Sequence, residues 1–353
     1  MTDVRSLSRA DLESLMQEKG LPAFRGRQLF KWLWKNGIHS IDEITEFSRA
    51  LRSDLSEELL IYDLEQIGRQ ASLDGTVKWA FGLRDGLVIE TVLIPERGHT
   101  TLCISTQAGC AMGCAFCLTG RMGLFRNLTA SEIAGQALAA FRDTAREMMP
   151  RNIVFMGMGE PLSNFEPLLK AVEILTDDLG LNFSERRITV STCGIPHKII
   201  ELGKRSRAGL AISLHAATNE QRDMLMPVNR TYPIETVLAA CRKFKLPPRR
   251  RITFEYLLLR GLNDSREDAV RLSSLLRGIP SKINLIPFNE CRGLSFREPD
   301  RQTVLDFQAI LRDLNHTAII RKSKGRDIDA ACGQLFYHQP GSRINREKTV
   351  MNC

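Results

Sequence analysis

The sequence predicts an α/β protein centred on an incomplete barrel of parallel strands, preceded by a small helical unit and a short β-rich connection. Three observations carry this expectation. Beyond Thr100, strand-like apolar runs alternate with helical stretches, the pattern that sets parallel strands side by side with crossover helices between them. Residues 1–60 instead read as one helix after another. Between the two, residues 61–98 hold β-rich runs punctuated by Asp74-Gly75 and Asp85-Gly86, which are hairpin signals.

Each element has a local reason. Ser8 and Asp11 are spaced as a capping box ahead of an apolar-periodic run that stops at Gly20. In FRGRQLFKWLWKNG the residues Leu29, Phe30, Trp32, Leu33 and Trp34 form a broad apolar face, and Gly37 is placed for the helix end. Aromatics among basic residues can stack on RNA, but tryptophans at helical spacing favour packing. Residues 41–60 continue in helical manner. Strands are then expected near 101–106, 152–158, 187–191, 209–214, 251–259, 282–287 and 317–321, with helices such as 129–148, 166–179, 234–245, 264–277 and 301–314. Six or seven units fall short of a closed eightfold barrel, so function is expected at the carboxyl ends of an open one. The division is 1–60 accessory helices, 61–98 connection, 99–325 barrel and 326–353 C-terminal segment.

Composition narrows the setting. The start, MTDVRSLSRADLE, lacks a charged and then apolar leader, so the nine cysteines are expected in a reducing compartment rather than as a disulfide framework. No run approaches the ~18–20 apolar residues of a membrane span, and a cytoplasmic protein is expected. A formal charge of +8 suggests a polyanionic partner. Its carriers recur along the chain: Arg25, Arg27, Lys31 and Lys35; Lys204, Arg205 and Arg207; Arg249, Arg250 and Arg251; Arg321, Lys322, Lys324 and Arg326.

Chemistry concentrates in STQAGCAMGCAFCLTGRMGL. Cys110, Cys114 and Cys117 have CxxxCxxC spacing, a compact loop with only three thiolates where iron–sulfur clusters usually take four. A small molecule can complete the fourth iron. A structural zinc site instead needs four closed ligands, and the nearest spare candidates, His99 and Cys103, lie upstream without knuckle spacing. The loop resembles that of the radical S-adenosylmethionine superfamily, whose members cleave that cofactor reductively to a 5'-deoxyadenosyl radical.

Further signals are individually open. IVFMGMGEP carries glycines where backbone can approach a ligand and a carboxylate able to accept from an ammonium. Ser191, the stretch Ser213, Leu214 and His215, and Asn289 end strand-like runs, where a barrel builds its site but where polar residues also cap and turn. Cys103 and Cys332 read alone as buried inert thiols or as catalytic ones. Glu90, in LVIETVLI, reads alone as an outward-facing strand residue.

Together, ETVLIPERGHTTLCISTQAGC, CxxxCxxC, MGMGEP, SLHA, NLIPFN and GRDIDAACGQL look like the RlmN and Cfr family of radical RNA methyltransferases, over almost the whole chain. The resemblance implies a partial (βα)6-type radical S-adenosylmethionine barrel. It implies Cys110, Cys114 and Cys117 as ligands of one [4Fe–4S] cluster, and Gly159, Glu160, Ser191, Ser213, Leu214, His215 and Asn289 as contacts of S-adenosylmethionine. It makes Cys332 the cysteine that is methylated on sulfur, Cys103 the resolving thiol and Glu90 the proton acceptor. Two molecules of S-adenosylmethionine are then spent per turnover, one as methyl donor and one as radical source. The chemistry has a reason: an adenine ring carbon between two nitrogens will not attack an electrophilic methyl, whereas a thiolate will. The implied partners are 23S rRNA, tRNA and an electron donor such as flavodoxin or ferredoxin, with a monomeric enzyme and no membrane. NLIPFN, RGRDIDAACGQL and the N-terminal helices favour the RlmN branch, hence carbon 2 over carbon 8. A radical methylthiotransferase needs a second cysteine-bound cluster, for which only the scattered Cys193, Cys241, Cys291 and Cys353 remain, and these are assigned no role. A non-enzymatic iron–sulfur RNA-binding regulator would need neither the cofactor motif nor the distant cysteine pair.

Overall fold

A computed structural model describes residues 1–290 and 293–337. Cys291, Cys353 and the part of the C-terminal segment beyond 337 lie outside the described residues.

The chain opens with β1 (Thr2–Asp3), α1 (Arg9–Glu18), α2 (Phe24–Lys31), α3 (Arg49–Glu58) and β2 (Leu59–Leu60). The Ser8–Asp11 capping box forms as its spacing predicts. Helix α2 runs on through a π-helical turn over Trp32–Asn36 to Gly37. Phe30, Leu33 and Trp34 are fully buried in a core shared with Ala137, Leu138 and Leu175 of the barrel helices, so the tryptophan face packs rather than stacks.

Strands β3 (Glu65–Ala71), β4 (Val77–Gly82) and β5 (Val88–Glu96) follow as antiparallel neighbours. They continue the barrel's own sheet, whose order ends β6-β5-β4-β3, with β6 at His99–Cys103. Gly75 and Gly86 take left-handed backbone at the two turns, but Asp74 and Asp85 do not; each aspartate instead accepts from a backbone amide two residues on.

After β6, β7 (Gln107–Cys110) and β8 (Gly123–Asn127) form a separate two-stranded hairpin around α4 (Leu118–Met122). The barrel then runs α5 (Ala130–Asp143), β9 (Asn152–Phe155), α6 (Phe165–Thr176), β10 (Ile188–Thr192), α7 (Pro196–Arg205), β11 (Gly209–Ser213), α8 (Asn219–Leu225), α9 (Ile234–Lys243), β12 (Ile252–Leu258), α10 (Arg266–Leu275), β13 (Ser281–Pro287), α11 (Arg301–Asp313) and β14 (Ala318–Ile320). β6 and β9–β14 are parallel neighbours in order, six strand–helix units and a final strand. The arrangement is the partial barrel the alternation predicts.

Register fixes what lines the inside. Val92 pairs with Cys103, Cys103 with Val154, Val154 with Thr189, Ser191 with Ala211, and Ser213 with Glu255 and through it Asn284. Since side chains alternate, Glu90, Cys103, Ser191, Ser213, Glu255 and Asn284 share one face. Phe254 and Tyr256 take the other face, where Tyr256 stacks on Phe307 of α11 at 5.4 Å. No helix among the described residues is long and apolar enough to cross a membrane.

Candidate active site

The three-cysteine loop is docked at both ends. Its middle is pinned where Ala115 N donates to Leu225 O of α8 at 2.9 Å, and Cys117 N closes a turn onto Cys114 O at 3.1 Å. From the other side, Leu118 N donates to Gly333 O at 2.9 Å and Thr119 Oγ1 to Leu335 O at 2.6 Å, so the C-terminal segment is seated on the loop. Met112, Cys114 and Phe116 pack against Cys193, Leu225, Met226, Leu257 and Phe288. Burial pushes the Cys110 thiol up to about 12, and raises those of Cys114 and Cys117. Charges on Cys117 and Cys110 push Cys114 further, so the thiols are close neighbours. Among the described residues no three such ligands close on a single-ion point. Three neighbouring thiols on one loop suit ligands to separate irons of one cluster.

Next to them the strand ends form a cradle. A Cβ at Gly157 would sit 2.7 Å from Ser105 Oγ, and one at Gly159, whose φ is +99°, would sit 2.5 Å from Gln107 Cβ. Glu160 is buried, with Oε1 accepting from Leu162 N at 2.9 Å and Oε2 from Cys193 N at 2.8 Å; burial nevertheless raises its pKa. Ser191 is buried at the end of β10 and Ser213 half-buried at the end of β11. The amides of Leu214 and His215 both donate to Glu255 O, at 3.1 and 3.3 Å. His215 Nδ1 accepts from Leu257 N at 3.1 Å, and burial then pulls its pKa to about 3, so the ring is neutral with its remaining N–H on Nε2. Asn289 Oδ1 is buried without a partner, an acceptor that a bound ligand can satisfy.

On the β5–β6 side, Glu90 is buried on the inner face, so the outward orientation its sequence suggests in isolation is corrected by register. Its Oε1 lies 3.0 Å from Lys78 Nζ. Burial raises its pKa, and the Lys78 charge opposes that. Lys78 Nζ also donates to Asp329 O at 3.3 Å, tying the pair to the C-terminal segment. Cys103 is buried and pushed up to about 12 by burial, then by a charge on Cys332, with Arg321 opposing. Cys332 itself is exposed. The Arg321 guanidinium is held upward first by a charge on Cys332 and then, against burial, by Glu255 and Cys103, so these four groups share one neighbourhood.

The predicted site residues lie at or just beyond the carboxyl ends of β6 and β9–β13, with Glu90 on β5 beside them and Cys332 on the C-terminal segment. Sequence reasoning missed Lys78, Gln136, Arg222, Glu255 and Arg321. Gln136 Oε1 accepts from Ser105 N and Thr91 Oγ1, each at 2.8 Å, bracing the strand below the cradle. A single lysine or glutamine carries no pattern; only the β4–β5 pairing of Lys78 with Val92 reveals that it faces Glu90. Arg321 was counted with the basic surface, yet it is half-buried and feels Cys103, Cys332 and Glu255. Several other basic residues form ion pairs at the surface: Arg205 with Glu166, Arg326 with Glu298 and Arg27 with Glu13.

A profile described as the radical SAM superfamily matches residues 104–273, and one described as the ribosomal RNA large subunit methyltransferase N-terminal domain matches residues 2–61. A dual-specificity RNA methyltransferase RlmN from Geobacter sulfurreducens is 51% identical over 335 residues, covering 95% of this chain and 92% of its own. The chain belongs to the RlmN family. A second RlmN, from Anaeromyxobacter sp., is 50% identical over 94% of this chain and 90% of its own length. A solved radical SAM methyltransferase from Sphaerobacter thermophilus superposes with a TM-score of 0.89 at 43% identity, over 95% of this chain and 99% of its own. Membership in the RlmN family brings with it a [4Fe–4S] cluster and S-adenosylmethionine.

Proposed function

We propose that this radical S-adenosylmethionine RNA methyltransferase adds a methyl group to carbon 2 of an adenosine in 23S rRNA and of one in tRNA, carrying the methyl on Cys332. The observation that supports this most is the seating of the Cys332 segment on the cysteine loop through Gly333 and Leu335, beside Cys103 and Arg321.

Cys110, Cys114 and Cys117 hold the cluster in this reading, and the Gly157–Gly159 cradle, Glu160, Ser191, Ser213, Leu214, His215 and the unmet Asn289 Oδ1 hold S-adenosylmethionine. Cofactor insertion must expel the protons that burial keeps on the three thiols. When bound, the cluster supplies the electron that opens S-adenosylmethionine to its adenosyl radical. Cys332, exposed, first takes a methyl onto Sγ by displacement. After hydrogen abstraction from that methyl, its carbon bonds to adenine carbon 2. Glu90 takes the ring proton while the radical adduct gives up one electron, for which the cluster, when bound, would be the acceptor; a carboxylate whose proton affinity burial has raised suits the proton transfer. Cys103 Sγ then attacks Cys332 Sγ, breaking the carbon–sulfur bond. The new methyl carbon takes up a proton, and the resulting disulfide is reduced by cellular thiols. Two molecules of S-adenosylmethionine are used per turnover, a flavodoxin or ferredoxin is the electron donor, and the enzyme acts as a monomer in the cytoplasm.

Anaerobic reconstitution with methyl-labelled S-adenosylmethionine and both RNAs, read by nucleoside mass spectrometry, tests the proposal. Labelled 2-methyladenosine is expected in each RNA. A digest holding 8-methyladenosine and no 2-methyladenosine rejects the assignment.

A further inference from the structure

Arg222, on α8, is fully buried, and the proposed reaction gives it no task. All five of its N–H groups have acceptors: Nε donates to Leu214 O at 3.2 Å, Nη1 to Asn229 Oδ1 at 2.9 Å and Tyr232 O at 3.3 Å, and Nη2 to Cys193 O and to Ser213 O at 3.3 Å. Every acceptor is neutral. No ion pair forms between Arg222 and any carboxylate among the described residues, and the acid it does feel, its chain neighbour Asp223, accepts from Asn229 Nδ2 at 2.7 Å instead. Hydrogen bonding is therefore complete while the charge is left uncompensated, which is a costly state inside a protein.

What lies against this charge is the cysteine loop. The last turn of the same helix accepts Ala115 N through Leu225 O, and Leu225, Met226 and Cys193 form one packed cluster with Met112, Cys114 and Phe116. Charges on Cys193 and Cys114 oppose the lowering that burial imposes on Arg222, which puts the guanidinium within electrostatic reach of both sulfurs. A cluster held by three thiolates is net negative and gains one more negative charge on reduction. A fixed cation beside it favours the reduced form, because reduction potential follows local charge and burial.

We propose that Arg222 is the counter-cation of the iron–sulfur cluster: a positioning residue that raises the cluster's reduction potential while clamping the ends of β10 and β11. The inference rests on the reading that Cys110, Cys114 and Cys117 hold a cluster. One residue then couples two requirements, since the carbonyls of Ser213 and Leu214 flank the S-adenosylmethionine cradle and the charge serves the electron that enters it.

The test uses the full chain, reconstituted anaerobically, with iron counted and the midpoint potential read by titration under electron paramagnetic resonance. R222Q removes the charge. The double variant D223N/N229D exchanges an amide for a carboxylate and so places a negative group on Nη1 with the net charge of the chain unchanged. R222K keeps a cation. We expect R222Q and D223N/N229D to shift the midpoint to more negative potential and R222K to stay near wild type. If R222Q does not fold, the double variant against R222K decides. Wild-type protein that binds no iron overturns the cluster reading itself. Cluster-bearing R222Q or double variant at the wild-type midpoint, or R222K displaced as far as R222Q, overturns the counter-cation alone.

Discussion

At the ends of β10 and β11 a buried guanidinium ties the carbonyls of Cys193, Ser213 and Leu214 to a helix, whereas across the mouth Cys332 sits exposed on a segment fastened by a few bonds to the cysteine loop, Lys78 and the β3–β4 turn. The first side is over-determined, as binding a cofactor in one geometry requires. The second has a delivering sulfur that must meet a methyl donor, a base and a resolving thiol in turn, and a rigid mount would serve one of these at the expense of the others.

Breaking the delivering side while sparing the cradle gives the largest effect. C332A is expected to reduce methylated product to background with cluster absorbance intact, whereas C114A loses absorbance and product together. E90Q comes next. It is expected to slow product release by ~10²–10⁴-fold, with covalent protein–RNA adduct accumulating on denaturing gels. Glu90 acts as a base only when ionised, and burial raises its pKa from the ordinary carboxyl value, so wild-type release should fall as pH drops through that raised value. E90Q should lose this limb. K78M leaves the Glu90 carboxylate buried and unpaired, which costs about 3–5 kcal/mol in thermal unfolding and moves the same limb to higher pH. The smallest change lies on the cradle side. G159A forces a side chain into a left-handed backbone against Gln107, a strain of ~1–3 kcal/mol, read as weaker S-adenosylmethionine binding with iron content unchanged.

The barrel was legible because its strands are continuous apolar runs separated by amphipathic helices, a pattern set by burial on both sheet faces. The three-cysteine loop was equally legible, since ligand spacing is local. The β3–β5 strands were read as a separate connection because nothing local tells a strand which sheet it joins; only the pairing of Val92 with Cys103 does. Arg222 and Arg321 were illegible for a related reason: an arginine in sequence looks like surface, and only the carbonyls or thiols that topology gathers around it turn it inward.

Lys78 grips a carboxylate and a tail carbonyl at once, Glu90 at 3.0 Å and Asp329 O at 3.3 Å. The tail also bears on the carboxylate directly, since the Phe336 backbone bonds to it and lowers its proton affinity while the Asp329 charge raises it. The arm that carries the sulfur and the group that takes the proton are therefore anchored to each other, so a disturbance of either is felt by both.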